Sequence, residues 1–235
     1  MNISKSQYIR GLQCYKSLWL LKNNHELRDQ ADTAQQSLFT TGHTVGELAK
    51  DLFPGGVEVE FDHNDYDGMI KRTRELIDNG QEVIYEAAFR ENDIFVMIDI
   101  LVKNGNQYDI YEVKASTSVK DYHKNDVSIQ WFVISQAIAL NRAFLVHINN
   151  QYIRQGTLEI DQLFSINDIT DIVQQKQSSI RHELDALETM LNNGQPNIDI
   201  GEQCSEPYDC DFQGHCWAHI PEVSVFNLYR MNKNK

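Results

Sequence analysis

Basic residues are scarce in this chain. Lys and Arg number 21 against 34 Asp and Glu in 235 residues, a net charge of −13. Taken whole, that balance speaks against a polyanionic partner, because nucleic-acid binders carry a basic footprint. Proline is scarce too, and four of them leave little room for a long linker. No run of 18 apolar residues exists, so no transmembrane helix and no membrane partner are expected. The one apolar cluster near the N-terminus, Leu18–Leu21, is followed by no small-residue cleavage site, so no signal peptide is expected either. Repeats and low-complexity tracts are absent. A cytoplasmic, reducing compartment follows as the expectation. Four cysteines there read as metal ligands or buried thiols before they read as disulfides.

What remains is enough for a folded body. Hydrophobic residues make up 41% of the chain and aromatics 10%, which excludes a disordered tail and allows one sizeable domain with or without an appendage. The charge is uneven. Residues 1–28 hold Lys5, Arg10, Lys16, Lys22 and Arg28 against Glu26 alone, and residues 221–235 hold Arg230, Lys233 and Lys235 against Glu222. The acidic excess therefore sits between two basic ends.

Apolar spacing predicts a helix from Tyr8 to Leu27, with Ser4 as its N-cap, and a second over 34–52 that buries Leu38, Val45, Leu48 and Leu52 and carries Gly42 and Gly46. A short strand over Val57–Phe61 and a helix over Asp65–Asn79, ended by Gly80, come next. Strands follow at Val83–Arg90, Asp93–Lys103 and Gln107–Ala115. A helix over Lys124–Leu140, strands at Ala143–Ile148 and Tyr152–Glu159, and a helix over Ile166–Asn193 complete the pattern, before an irregular tail after Pro196. This is one mixed α/β domain with a cysteine-bearing appendage.

The chemistry concentrates on either side of Asn104-Gly105-Asn106, a hairpin signal between two apolar runs. If Gly105-Asn106 is a two-residue loop, cross-strand partners have residue numbers summing to 211, and Asp99 stands directly opposite Glu112. Lys114 lies two residues on, on the same face. Two carboxylates between Ile98, Ile100, Tyr111 and Val113 are expensive unless compensated, and a hard divalent cation with oxygen ligands is the natural compensation. A lysine beside such an ion suits phosphodiester hydrolysis, with Lys114 on the phosphate or the attacking water. Downstream, Asp126 and Gln130 share one helical face, where a Gln can orient phosphate or water or stand exposed with no role.

Cys14 lies in the first helix, and Cys204, Cys210 and Cys216 follow a C-x5-C-x5-C spacing near the end. Four thiolates can hold a 4Fe–4S cluster or a tetrahedral zinc. The two-residue knuckles usual for structural zinc are absent. Three cysteines with His215 or His219, or four buried free thiols, are the other readings of this set.

Taken in order, Phe39-Thr-Thr-Gly-His-Thr-Val-Gly-Glu47, Asp99-Ile-Leu-Val, Tyr111-Glu112-Val-Lys114, Asp126-Val-Ser-Ile-Gln130 and the split cysteines resemble the iron–sulfur members of the RecB-like PD-(D/E)XK nucleases. These include the CRISPR-associated RecB-like exonucleases and the AddB nuclease domain. The resemblance covers most of the chain. It implies an α/β restriction-endonuclease-like core, a mixed central sheet flanked by helices, over residues 34–195. An N-terminal helix over 1–33 would carry the first cluster cysteine, and 196–235 would form a cysteine-rich cluster-binding tail. It further implies that Asp99 and Glu112 bind Mg²⁺ or Mn²⁺, that Lys114 is the catalytic lysine, that Gln130 is the family's glutamine, and that the four cysteines ligate a 4Fe–4S cluster. Three positions depart from the family pattern. Gly46 stands where many relatives have a metal-binding His, so Glu47, or else His43, would serve from that helix. Ile134 stands where a Tyr is frequent, and the cysteine triplet is wider than the usual C-x2-C-x5-C.

The expectation is therefore a metal-dependent DNA nuclease, an exonuclease acting on single strands or ends, with a protein partner in repair, CRISPR or phage-related pathways. Arg10, Lys16 and Lys22 would track phosphates, and Tyr15 and Tyr152 would stack on bases. The alternatives are a catalytically weak or inactive nucleic-acid- or protein-binding module that keeps the nuclease fold, and a zinc-stapled interaction protein.

Overall fold

The computed structural model describes residues 2–30 and 33–227. The basic residues Arg230, Lys233 and Lys235 lie outside the described residues, as do the side chains of Leu38 and Phe39. The chain divides into two compact units, one of residues 1–5 and 36–181, the other of residues 6–35 and 182–235.

The first unit is a mixed α/β sheet structure. Its strands are β1 (Ile3–Ser4), β2 (Val57–Glu58), β3 (Val83–Glu91), β4 (Ile94–Asn104), β5 (Gln107–Lys114), β6 (Leu140–Ile148) and β7 (Phe164–Asp168). They lie in the order β2-β3-β4-β5-β6-β7, with β1 paired to β4. The pairs β3–β4, β4–β5 and β6–β7 are antiparallel, whereas β1–β4, β2–β3 and β5–β6 are parallel. Helix α1 (Lys5–Gln13) leaves this unit after its first residue and α2 (Tyr15–Asn23) follows it. The sheet unit itself holds most of α3 (Thr33–Lys50), all of α4 (Tyr66–Asp78), α5 (Asp121–Ile134) and α6 (Ile160–Leu163), and the first half of α7 (Thr170–Leu191).

Two tight turns set the register. Asn92 and Asp93 both have positive φ, 50° and 60°, the requirement of a type I′ hairpin, and they bring Glu91 opposite Ile94. Gly105, at φ 62°, opens the next two-residue turn, with Asn104 opposite Gln107. Partners on β4 and β5 accordingly sum to 211, as the hairpin arithmetic expected. Alternation then divides the sheet. Tyr85, Ile100, Tyr111 and Val146 bury one face with Val45 and Ala49 of α3. The opposite face receives α4, through Thr73 Oγ1 accepting from the Ala88 amide, and α5.

Several expected elements are placed differently. The first helix is two, broken at Cys14, which is extended at φ −158° and precedes α2; His25–Leu27 is a separate 3-10 turn. Strand β2 pairs over two residues only, and Val59 then donates its amide to Tyr85 O. Helix α5 stops at Ile134 because Leu140 is claimed by the sheet, where it pairs with Tyr108. Tyr152–Glu159 is a loop rather than a strand: Gly156 takes φ 92°, Arg154 donates to Gly156 O, and the Glu159 amide donates to the Tyr152 hydroxyl. The edge strand is instead β7, which overlaps the start of the expected last helix. Asp168 accepts the Thr170 amide at 2.9 Å, and α7 begins there.

The second unit is built from the chain's two ends. Gly11 in α1 admits the side chains of Leu187 and Leu18, whose methyls lie within 3 Å of where a Cβ would stand. Tyr8 donates to Glu183. Arg10 grips Asp211 with both terminal nitrogens and its guanidinium lies over the Phe212 ring, while Arg28 binds the same carboxylate. Asp29 accepts the Gly214 amide at 2.9 Å, at the start of the short helix α8 (Gln213–Cys216).

Candidate active site

The site is a fork in the sheet. A strand has two edges, and β3 occupies one edge of β4 from Ile94 to Val102. On the other edge β5 pairs only from Ile100 to Asn104, and β1 pairs only at Ile94 and Phe95. Between them the backbone of β4 has no strand beside it among the described residues, and buried backbone groups need partners. Side chains supply them. Asp99 reaches across the fork to accept the Val113 amide at 2.5 Å, and Gln130 of α5 donates to Met97 O at 2.8 Å.

The charged groups converge on Glu112, whose side chain is 3% exposed. Its Oε2 accepts from Gln130 Nε2 at 2.6 Å. Its Oε1 accepts from two lysines, Lys114 at 2.8 Å and Lys5 at 2.7 Å. Lys114 also donates to Asp126 of α5. Glu86 completes the row. Partners on β3 and β4 sum to 185, which sets Glu86 opposite Asp99, but Glu86 has φ 54° and leaves the ladder there. A non-glycine residue in that region is strained, and such strain is found at functional sites.

Burial and mutual repulsion govern the acids. Burial, and then the charge of Glu112, pushes the Asp99 carboxyl up to about 7. Burial, with Asp99 and Glu112 behind it, pushes Glu86 up to about 8. Burial alone would raise Glu112 as well, but Lys114, Lys5 and the Gln130 amide outweigh it and hold Glu112 down at about 2. Lys114 is raised: burial opposes its charge, and Glu112 and Asp126 overcome that. Lys5 is raised likewise, chiefly by Glu112 against burial. Burial, with Lys114 beside it, pushes His123 down to about 4.

The residues singled out in the sequence divide into those gathered here and those placed elsewhere. Asp99, Glu112, Lys114 and Gln130 meet in one cluster, and Gln130 is fully buried with its Oε1 unpartnered among the described residues. Glu47 does not join them: its side chain is 49% exposed and pairs with Lys50, because α3 packs on the face that Tyr111, not Glu112, presents. His43 is exposed. Tyr152 belongs to the loop before α6. In the second unit, Arg10 is committed to Asp211, Lys16 donates to Ile198 O at 3.2 Å, Tyr15 is exposed, and burial lowers the Lys22 ammonium. Glu86, Asp126 and Lys5 were not singled out as site residues. Glu86 was within reach of the same arithmetic, since a two-residue turn at Asn92-Asp93 makes partners sum to 185. Lys5 was not, because only the long-range pairing of β1 brings it here.

The four cysteines line one small cavity of the second unit together with Lys16 and Phe212. Cys210 Sγ lies 3.4 Å from Ser17 Oγ, and burial raises the thiols of Cys14 and Cys216. Among the described residues, no three His, Cys, Asp or Glu side chains stand close enough together to hold a single ion, in this cavity or at the fork.

No protein-family model and no curated protein matches the sequence. Among solved structures, the chain is similar to SSO0001 at 14% identity and a TM-score of 0.45, over 84% of this chain and 80% of that one. It is similar to a phage-related exonuclease from Haemophilus somnus 129PT at 13% identity and a TM-score of 0.28, over 74% of this chain and 95% of that one. Likenesses this distant assign no activity, so the reading of function rests on the fork itself. No helix among the described residues is long and apolar enough to cross a membrane.

Proposed function

We propose that this chain is a divalent-cation-dependent nuclease that hydrolyses phosphodiester bonds in DNA, on single strands or at ends. The observation that carries the reading is the fork, where two strands separate and place Asp99, Glu112 and Lys114 together with the Gln130 amide. The donor set fits a hard cation: it is all oxygen, and one acid is raised by burial and then by the charge of the other. Mg²⁺ is ordinarily held by one or two carboxylates, waters and substrate phosphate oxygens rather than by an all-protein cage, so two carboxylates suffice without a third converging. Asp99 and Glu112 would hold such an ion, which when bound supplies Lewis-acid polarisation of the phosphate and a nucleophilic water.

The chain's own side chains define the rest. Asp126 holds Lys114 from the helix side, so its ammonium is presented beside Glu112 rather than left to sample solvent. Lys114 would then neutralise charge on the phosphate. Gln130 fixes the Glu112 carboxylate and closes the backbone gap at Met97.

The cysteine spacing, which lacks the two-residue knuckles usual for structural zinc, supports an iron–sulfur staple in the cavity that the four thiols line. Cys14, Cys204, Cys210 and Cys216 would hold it, joining the two chain segments that form this unit.

Protein purified without oxygen should cleave single-stranded DNA with Mg²⁺ or Mn²⁺, and Asp99→Ala or Lys114→Met should lower the rate at least a hundredfold. If wild type cleaves no better than these variants, the closed state of Glu112, saturated by two lysines and an amide, is its working state and the fold serves binding alone. Iron with broad violet absorbance supports the cluster, and colourless protein with stoichiometric zinc rejects it.

A further inference from the structure

Lys5 stands where general rules would not place a lysine. It is the first residue of α1, at the positive end of the helix dipole, with no acidic residue in the first turn. Its ammonium is drawn into the fork, where burial opposes charge. Glu112 already has Lys114, which it shares with Asp126, on the same oxygen, and Gln130 caps its other oxygen. The placement is nonetheless tightly built. Ile3 donates its amide to Asp93 O at 3.1 Å, Ile3 and Ser4 pair with Ile94 and Phe95, and the next residue enters the gap that β5 leaves along β4.

Two ammonium groups therefore lie on one carboxylate oxygen, at 2.7 Å and 2.8 Å. They are close enough together for the two non-bridging oxygens of one phosphodiester. An ammonium carries three hydrogens, and the contact with Glu112 uses one of those on Lys5. The Lys5 side chain is 24% exposed where that of Glu112 is 3%, so it stands on the solvent side of the cluster. Lysine is a point-charge binder of phosphate and needs no fixed approach angle.

We infer that Lys5 is a second substrate lysine, which with Lys114 grips the non-bridging oxygens of the phosphate brought to Glu112. This rests on the nuclease reading and adds to it a residue that joins the site through β1 rather than through the hairpin. The strand that carries Lys5 is two residues long, so its position depends on β4 and on the Asp93 carbonyl.

The test is equilibrium binding of a fluorescent single-stranded oligonucleotide to the full chain, in chelator and again in Ca²⁺, across a salt series. Wild type, Lys5→Met, Lys5→Arg and Lys114→Met are compared. Lys5→Met should weaken binding roughly tenfold, and the slope of log affinity against log salt should fall by about 0.7, one phosphate contact on a single strand. Lys5→Arg should restore most of both. With Mn²⁺, Lys5→Met should raise KM more than it lowers kcat, and Lys114→Met should do the reverse. As a measurement that needs no variant, bound oligonucleotide should protect the Lys5 amine of wild type from reductive methylation, read by mass spectrometry. The proposal is overturned if Lys5→Met shifts only the melting temperature, with affinity and salt slope unchanged, or if methylation of Lys5 ignores the oligonucleotide. Wild type that neither binds nor cleaves DNA overturns the nuclease reading instead.

Discussion

At Asp99 the interests of stability and of the proposed chemistry diverge. Its carboxylate is useful to a cation only when ionised, yet burial and Glu112 push its protonation up to about 7, and Glu86 follows at about 8. Both acids are raised in the fold. Their contribution is complete below the ordinary carboxylate range and is lost as pH rises through 7 and 8. His123, pushed down to about 4, works the other way, but its contribution is complete above about 6.5. Glu112, held at about 2, changes only in strong acid. Between pH 6.5 and 8 the two raised acids are the groups of this cluster that change. Urea denaturation in chelator should therefore show stability falling by about 2 kcal/mol over that window. Asp99→Asn keeps an oxygen for the Val113 amide while removing the charge, and should at least halve that fall and abolish cleavage. A variant that loses cleavage without flattening the pH curve would show that repulsion at the fork is not what limits stability there.

Among the elements, small residues mark close approach. Gly11 in α1 has Leu187 and Leu18 methyls at 2.6 Å and 2.9 Å from the position of a Cβ, so Gly11→Ala should destabilise the second unit by about 1–3 kcal/mol despite alanine's better helix propensity. Gly56 faces the Tyr85 ring in the same way, and the Tyr85 hydroxyl donates to Phe53 O at 2.5 Å. Tyr85→Phe should lower stability by about 1–2 kcal/mol, because a partly buried carbonyl loses its donor. Thermal unfolding of the single variants checks both. The hairpin elements were legible in the sequence because a two-residue turn leaves one register, and Asp99 and Glu112 follow from it. The strand expected at Tyr152–Glu159 was not, because the competition between that segment and Phe164–Asp168 for the edge of β6 is decided by pairing, not by local preference.

Across the whole molecule, net charge proved a poor guide to local field. Of the basic residues at the N-terminal end, Arg10 and Arg28 pair with one carboxylate, Asp211, which they hold below the usual range against the opposing effect of burial. The second unit draws on segments separated by most of the chain, so closing that loop costs entropy that its contacts must offset. Cys204→Ser should therefore loosen both of its segments together. Hydrogen exchange should rise in 6–30 and in 202–217 at once, while amides of β3 to β6 stay protected. Loosening confined to 202–217 would mean that the cysteines do not join the two segments.

The sequence by itself determined the mixed α/β character, the hairpin register and the meeting of Asp99, Glu112 and Lys114, because turn geometry and strand alternation act over a few residues. Only the tertiary structure decided that Glu47 stands apart, that Gln130 is buried against Glu112, and that Lys5 joins the fork. Those outcomes depend on which sheet face a helix covers and which strand fills a gap. Such choices are made by burial and by the need to satisfy exposed backbone groups across the whole sheet, and no local pattern records them.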